Sequence, residues 1–181
     1  NEGIRGCVDD EQLTMESNKT SYVDYVTFHL WPRNWSWYDQ HQSGETWNNA
    51  LKLSIDYLNW HVDMARQLNK PVVLEEFGLD RDNGEFDVNS TTHYRDKFYR
   101  EVFGLLYRRA KAGDAAAGFN FWTWTGSGRT HNADYWWKTG DDFTGDPPQE
   151  QQGMYGVFDS DITTLLVIKE FADKFHALNS E

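Results

Sequence analysis

Two adjacent carboxylates end a run that is otherwise apolar: Lys70-Pro71-Val72-Val73-Leu74-Glu75-Glu76-Phe77-Gly78. Val72, Val73 and Leu74 read as a strand covered on both faces, as in a parallel sheet. A charge beside such a strand is costly unless it is paired or put to use. The C-terminal ends of parallel strands are where α/β barrels collect their chemistry, and a carboxylate there can serve as nucleophile, general acid or general base. Period-two alternation sends Glu75 and Glu76 to opposite faces, so only one of them is expected to reach a site. Two further strand-like segments end in complementary groups. Tyr22 to His29 closes on an imidazole and runs on into Leu30, Trp31 and Pro32; Ala115 to Trp122 closes on an indole. An imidazole can support a carboxylate, and an indole offers a flat apolar face to a ring-shaped ligand. Trp124 is expected to face the same way as Trp122.

Segments of helical periodicity separate these strands. From Thr46, the residues Trp47, Leu51, Ile55, Leu58, Val62 and Ala65 recur at three- and four-residue steps and form one apolar stripe. A second helix is predicted from Thr91 or Thr92 to Ala112, with Phe98, Val102, Leu105, Leu106 and Ala110 inward and a stop at Gly113-Asp114. A third is predicted from about Thr163 to Leu178, with Leu165, Ile168, Phe171 and Phe175 inward. The order is strand, helix, strand, helix, strand, long loop, helix, which is a βα repeat with parallel strands. The long connections 30–45, 77–90 and 123–162 all follow strand C-termini. Residues before Tyr22 read as a loop leading into a short helix.

Three strands cannot close a barrel of eight. The expected fold class is therefore α/β, a partial (β/α)8 barrel holding roughly its second half. Residues 1–181 are then expected to be the C-terminal part of a catalytic barrel domain, its N-terminal half absent. Open parallel edges are prone to pairing, so that half, or another chain, is the expected partner. A compact three-stranded open sheet is the alternative.

Composition narrows the partners. A net charge of -12 argues against nucleic acid, whose phosphates need clustered Lys and Arg. Nine Trp, nine Tyr and eleven Phe in a chain with 25% charged residues suggest rings that serve a ligand surface as well as a core. Sugars suit such a surface: their C–H faces lie on indole while their hydroxyls seek carboxylates, amides and imidazoles. Cys7 is alone, so no internal disulfide or cysteine metal site is expected. No apolar run approaches the ~20 residues of a membrane span. Asp141-Asp142 and Asp159-Ser160-Asp161 lack the Gly and terminal Glu of a calcium loop and read as solvated turn acids; no metal or cofactor is expected. Arg108, Arg109 and Lys111 read as a solvated basic cluster. Trp35, Trp37, Trp136 and Trp137 lie on top-face loops, where they either line sugar subsites or pack the loops.

The pieces VDYVTFHLWPRNWSW, KPVVLEEFGLDRD, GFNFWTWTG and GDPPQEQQGMYGVFDSD, in this order, resemble the β-mannanases of glycoside hydrolase family 5. The resemblance runs from about Glu2 to the final helix, and implies that the three strands with their helices are roughly strands 6–8 of the barrel. It implies a (β/α)8 barrel that cleaves β-1,4 linkages with retention of configuration, with Glu76 as nucleophile and Glu75 at a variable position. It also implies that His29 contacts substrate and supports the nucleophile, and that Trp122 lies under the sugar at the cleavage point. Where the family often has a Tyr donating to the nucleophile, this chain has Trp31, whose indole N–H is the available donor. The family's acid/base lies in an Asn-Glu pair at the end of strand four. Asn1-Glu2 is the one such dipeptide here, precedes Gly rather than Pro, and reads as coincidence. The isolated chain is thus expected to lack the acid. The implied function is a secreted, periplasmic or cell-surface endo-β-1,4-mannanase. The alternatives are a β-1,4-glucanase of the same family or a non-catalytic carbohydrate-binding half-barrel.

Overall fold

Val72–Phe77 forms the middle strand of a three-stranded parallel sheet, flanked by Val26–Leu30 and Ala116–Phe119. In chain order these are β1 (Val26–Leu30), β2 (Val72–Phe77) and β3 (Ala116–Phe119). The computed structural model describes residues 12–178. Helices α1 (Ser43–Gln67), α2 (His93–Lys111) and α3 (Ile162–Leu178) follow the three strands in turn. Each parallel step needs a crossover, and the apolar stripes read from the sequence supply helices to make it. The architecture is a partial (β/α)8 barrel.

Helices α1, α2 and α3 cover one face of the sheet. Val26, Phe28, Leu30, Val72, Leu74 and Phe77 point into a core with Leu58, Val62 and Ala65 of α1 and Phe98, Val102, Phe103 and Leu106 of α2. Phe171 of α3 packs on Phe103 with ring centroids 5.7 Å apart. The opposite face carries Thr27, His29, Glu75 and Ala117, all exposed. Gly113, with φ +77°, takes the left-handed conformation that ends α2, as its position predicts.

Three boundaries differ from expectation. The first strand starts at Val26 rather than Tyr22, because Lys70 Nζ holds the carbonyls of Asn18 and Thr20 at 2.5 and 2.6 Å and folds the chain into a turn there. Regular β3 stops at Phe119, yet Asn120 N–H and Trp122 N–H still donate to Leu74 and Phe77 carbonyls at 2.8 Å each. Trp122 therefore stays registered to the end of β2. The connection 123–162 is not pure loop: β4 (Trp124–Gly126) and β5 (Val157–Phe158) pair in parallel as a second small sheet. Asn1-Glu2 and Cys7 lie outside the described residues. Among those residues, no helix is long and apolar enough to cross a membrane, and no group of three His, Cys, Asp or Glu side chains could hold a metal ion.

The core also buries an imidazole. His61 of α1 stacks on Phe28 at 4.2 Å, with Nδ1 2.9 Å from the Tyr57 carbonyl, and burial lowers its pKa from 6.5 to about 4. An unfolded chain takes up that proton more readily, so stability from the neutral ring is full above pH 6.5 and is lost as pH falls through 4. Urea melts of the parent and His61→Gln between pH 7 and 4 should shift relatively in the variant's favour by about 3 kcal/mol. A pH-independent difference would show that the ring does not titrate between folded and unfolded states.

Candidate active site

The site begins with an irregularity between β1 and β2. Phe28 pairs with Leu74, but the next residue, His29, pairs with Glu76. Glu75 is the extra residue of a β-bulge, which breaks strict alternation. Both glutamates consequently project on the open side, and Phe77 returns to the core at 0% exposure. The expectation that the two lie on opposite faces is corrected, although Glu76 alone lines the pocket described below. His29 Nδ1 lies 3.2 Å from Glu76 Oε2, and its Nε2 lies 3.6 Å from Glu75 Oε2. Glu76 is the deeper of the two, its side chain 32% exposed against 47%.

Glu76 opens into a pocket of about 230 Å³ lined by Trp31, Asn34, Trp122, Pro147, Glu150 and Tyr155. Of the four predicted site residues, Trp31, Glu76 and Trp122 line it, and His29 stands beside Glu76 without lining it. Trp31 and Trp122 meet edge to face at 6.5 Å, and Tyr155 tilts onto Trp31 at 4.9 Å. Gly78 makes this approach possible. A Cβ there would stand 2.9 Å from the Trp122 carbonyl oxygen, closer than packed atoms allow, and 3.1 Å from both the Trp31 and Tyr155 rings, which would have to give way.

The loops that carry these residues are tied together below the pocket. Arg33 Nε lies 3.2 Å from Asp80 Oδ2, joining the segment after β1 to that after β2. Burial raises the Asp80 carboxyl above its ordinary range, and Arg33 opposes the rise. The Tyr155 hydroxyl donates to Asn34 Oδ1. Asp146, buried and pushed up to about 6 by desolvation, accepts from the backbone N–H groups of Gly153 and Tyr155 at 2.8 and 3.2 Å. Fully buried Arg95 donates to the carbonyls of Leu79, Gly156 and Met154 at 2.7, 2.9 and 3.1 Å. That one guanidinium fixes the exit of β2 against the backbone on both sides of Tyr155.

Several other expectations change. The structure gives no hydrogen bond from the Trp31 indole to Glu76; Trp31 serves as a ring wall. Trp124 does not join Trp122 in the pocket but lies 55% exposed on β4. Trp35 and Trp37 pack edge to face on Tyr57 of α1 at 5.1 and 5.9 Å, which is loop packing. Asp161 is not a solvated turn acid: it is 6% exposed and bound to Arg81. Nor is Arg109 free in solvent, since it bonds Asp114, Asn59 and Asp63. Asn34, Glu150 and Tyr155 are not among the site residues expected from the sequence, although each lies within a segment that carries the family resemblance.

The whole arrangement has relatives. A family model described as "GH family 5 beta-mannosidase-like" matches residues 1–180. "Mannan endo-1,4-beta-mannosidase 5" of Arabidopsis thaliana is 30% identical over 143 residues, covering 78% of this chain and 29% of the plant protein. A glycoside hydrolase family 5 mannosidase from Rhizomucor miehei, solved in complex with mannosyl-fructose, superposes with a TM-score of 0.84 at 28% identity, covering 94% of this chain and 42% of that one. The endo-β-1,4-mannanase from Thermotoga petrophila superposes with a TM-score of 0.57 at 25% identity, covering 91% and 28% respectively. The chain thus spans less than half the length of each relative. With a family model matched along virtually its entire length, the chain belongs to the β-mannosidase-like proteins of glycoside hydrolase family 5.

Proposed function

We propose that this chain carries the nucleophile side of a retaining endo-β-1,4-mannanase acting outside the cell on mannan-type polysaccharide. The observation that carries the reading is Glu76, with His29 3.2 Å away, opening into a pocket walled by Trp31 and Trp122. Glu76 attacks the anomeric carbon of a mannosyl unit lying on the indoles, and the leaving oxygen departs with a proton. Water then cleaves the glycosyl ester, restoring the carboxylate and the original configuration. The second carboxyl that donates the proton and later activates water stands about 5–5.5 Å from the nucleophile in such enzymes. The family pattern assigns that role to strand four, so the remaining barrel strands, set against the open face bearing Thr27 and His29, complete the enzyme.

One observation favours a second reading, removal of mannose from chain ends: the fit is closer to the Rhizomucor mannosidase than to the Thermotoga endo-mannanase, at 0.84 against 0.57. Trapping separates the catalytic readings from a binding module. An activated 2-deoxy-2-fluoro-β-mannoside should esterify the complete protein once, on the peptide containing Glu76. Label on Glu75, or no label, overturns the assignment. Faster labelling by the gluco-configured reagent would indicate a β-glucanase.

A further inference from the structure

We propose that Glu150 is a specificity-determining residue of this pocket, a carboxylate that accepts hydrogen bonds from hydroxyl groups of the sugar ring held against Trp31 and Trp122. The inference rests on the proposed function and deepens it. Glu150 and Glu76 are the two carboxylates lining the cavity. They differ in company. Glu76 has His29 within 3.2 Å, whereas the Glu150 side chain makes no hydrogen bond or ion pair with the described residues.

The loop bearing Glu150 is built to hold it still. Its own N–H closes a turn onto the Pro147 carbonyl at 2.9 Å. Inside that turn the buried Gln152 amide donates to the carbonyls of Pro147 and Glu150 at 3.1 and 3.0 Å. Its oxygen in turn accepts from the Thr144 hydroxyl. From outside, Gln152 N–H donates to the Tyr135 carbonyl at 2.8 Å, and Gln151 Nε2 donates to the Asp134 carbonyl at 3.0 Å. Asp146 and Arg95 fix the far end of the loop, around Tyr155. So many hydrogen bonds within one segment of loop fix the backbone from which the half-buried Glu150 side chain projects, and a fixed attachment point favours recognition of a rigid ligand.

The ligand class follows from the surroundings. A carboxylate that lines a pocket with aromatic walls, and has no ion pair among the described residues, gains from donors that bring no positive charge. The hydroxyls of a pyranose are such donors, and bonds to an ionised acceptor are about twice as strong as neutral ones. Their loss should cost roughly ten- to a hundredfold in affinity each.

The test measures binding of β-mannobiose and its monodeoxy analogues to the complete protein, in a Glu76→Gln background so that nothing turns over. Glu150→Ala should bind mannobiose about ten- to a hundredfold more weakly, with melting temperature unchanged. At least one deoxy analogue should bind the parent and Glu150→Ala alike, because it lacks the hydroxyl that Glu150 reads. Equal binding of mannobiose by both proteins overturns the proposal. So does an equal loss for every analogue, which marks a shape effect of the loop. A parent that binds no mannobiose overturns the mannan reading and this inference with it. If the wild-type enzyme labels at Glu76 and the Glu76→Gln parent binds mannobiose, yet binding is indifferent to Glu150, this inference alone is overturned.

Discussion

Glu76→Ala is expected to lower mannan hydrolysis by the complete enzyme by at least about 10⁴-fold, with little change in affinity for a mannan oligosaccharide. The nucleophile's contribution arises only as its oxygen bonds to the anomeric carbon, so its removal falls on kcat. Affinity should persist because Trp31, Trp122 and Tyr155 remain, and their packing does not involve the Glu76 carboxylate. Truncation opens a cavity on the face that Glu76 had occupied. Azide added to Glu76→Ala with an aryl β-mannoside should enter there, restore turnover and yield the α-mannosyl azide. Glu75→Ala is the paired control, since Glu75 touches the same imidazole at 3.6 Å but does not line the pocket. It should retain most activity and give no azide product. The reverse pattern would make Glu75 the nucleophile. Full activity in both variants would end the retaining mechanism on this strand.

The fold was largely legible because the βα repeat writes itself in two periods. The stripes through Leu58 and Val62, and through Phe98 and Val102, belong to helices that cover one sheet face, and all three strands appear in the expected order. The main error within the site came from trusting a perfect period of two. A single extra residue at Glu75 turns both glutamates to one side, and a bulge leaves no mark in hydrophobic pattern. The small second sheet was missed for a different reason. Strands of three and two residues are too short to show alternation, and Val157 pairs with Trp124 across a long connection, roughly the length of a crossover. Polar residues with long-range partners were the least legible. Asp161 and Arg109 look like surface charges until Arg81 and Asp63 are brought beside them. Tyr155 and Glu150 reach the pocket only because a buried Arg95 and Gln152 fold their loop back over the strand ends.

Asp161→Asn should destabilise the protein by roughly 3–5 kcal/mol, seen as a fall in melting temperature of about 6–20 °C. Arg81 and Arg95 are both 0% exposed, and Asp161 lies 2.6 Å from an Nη of the first and 3.7 Å from one of the second. Asparagine keeps the shape and can still accept from Phe158 N–H, which Asp161 does at 2.9 Å. What it removes is the charge, and two guanidiniums then remain buried with one fewer anion to offset them. Their hydrogen bonds to carbonyls at Ser90, Leu79, Met154 and Gly156 spread the positive charge without neutralising it. Cation–π contact of Arg81 with Phe158 at 5.0 Å adds to that effect but is too weak to replace a carboxylate. Arg81→Met in the Asp161→Asn background should recover part of the loss, because it takes away a cation that no longer has a partner. The same cluster holds the backbone around Tyr155, so Asp161→Asn should also weaken sugar binding before the protein melts. A variant as stable as the parent would mean that solvent or another segment compensates the buried charge. A destabilised variant that binds sugar normally would separate this buried cluster from the geometry of the pocket.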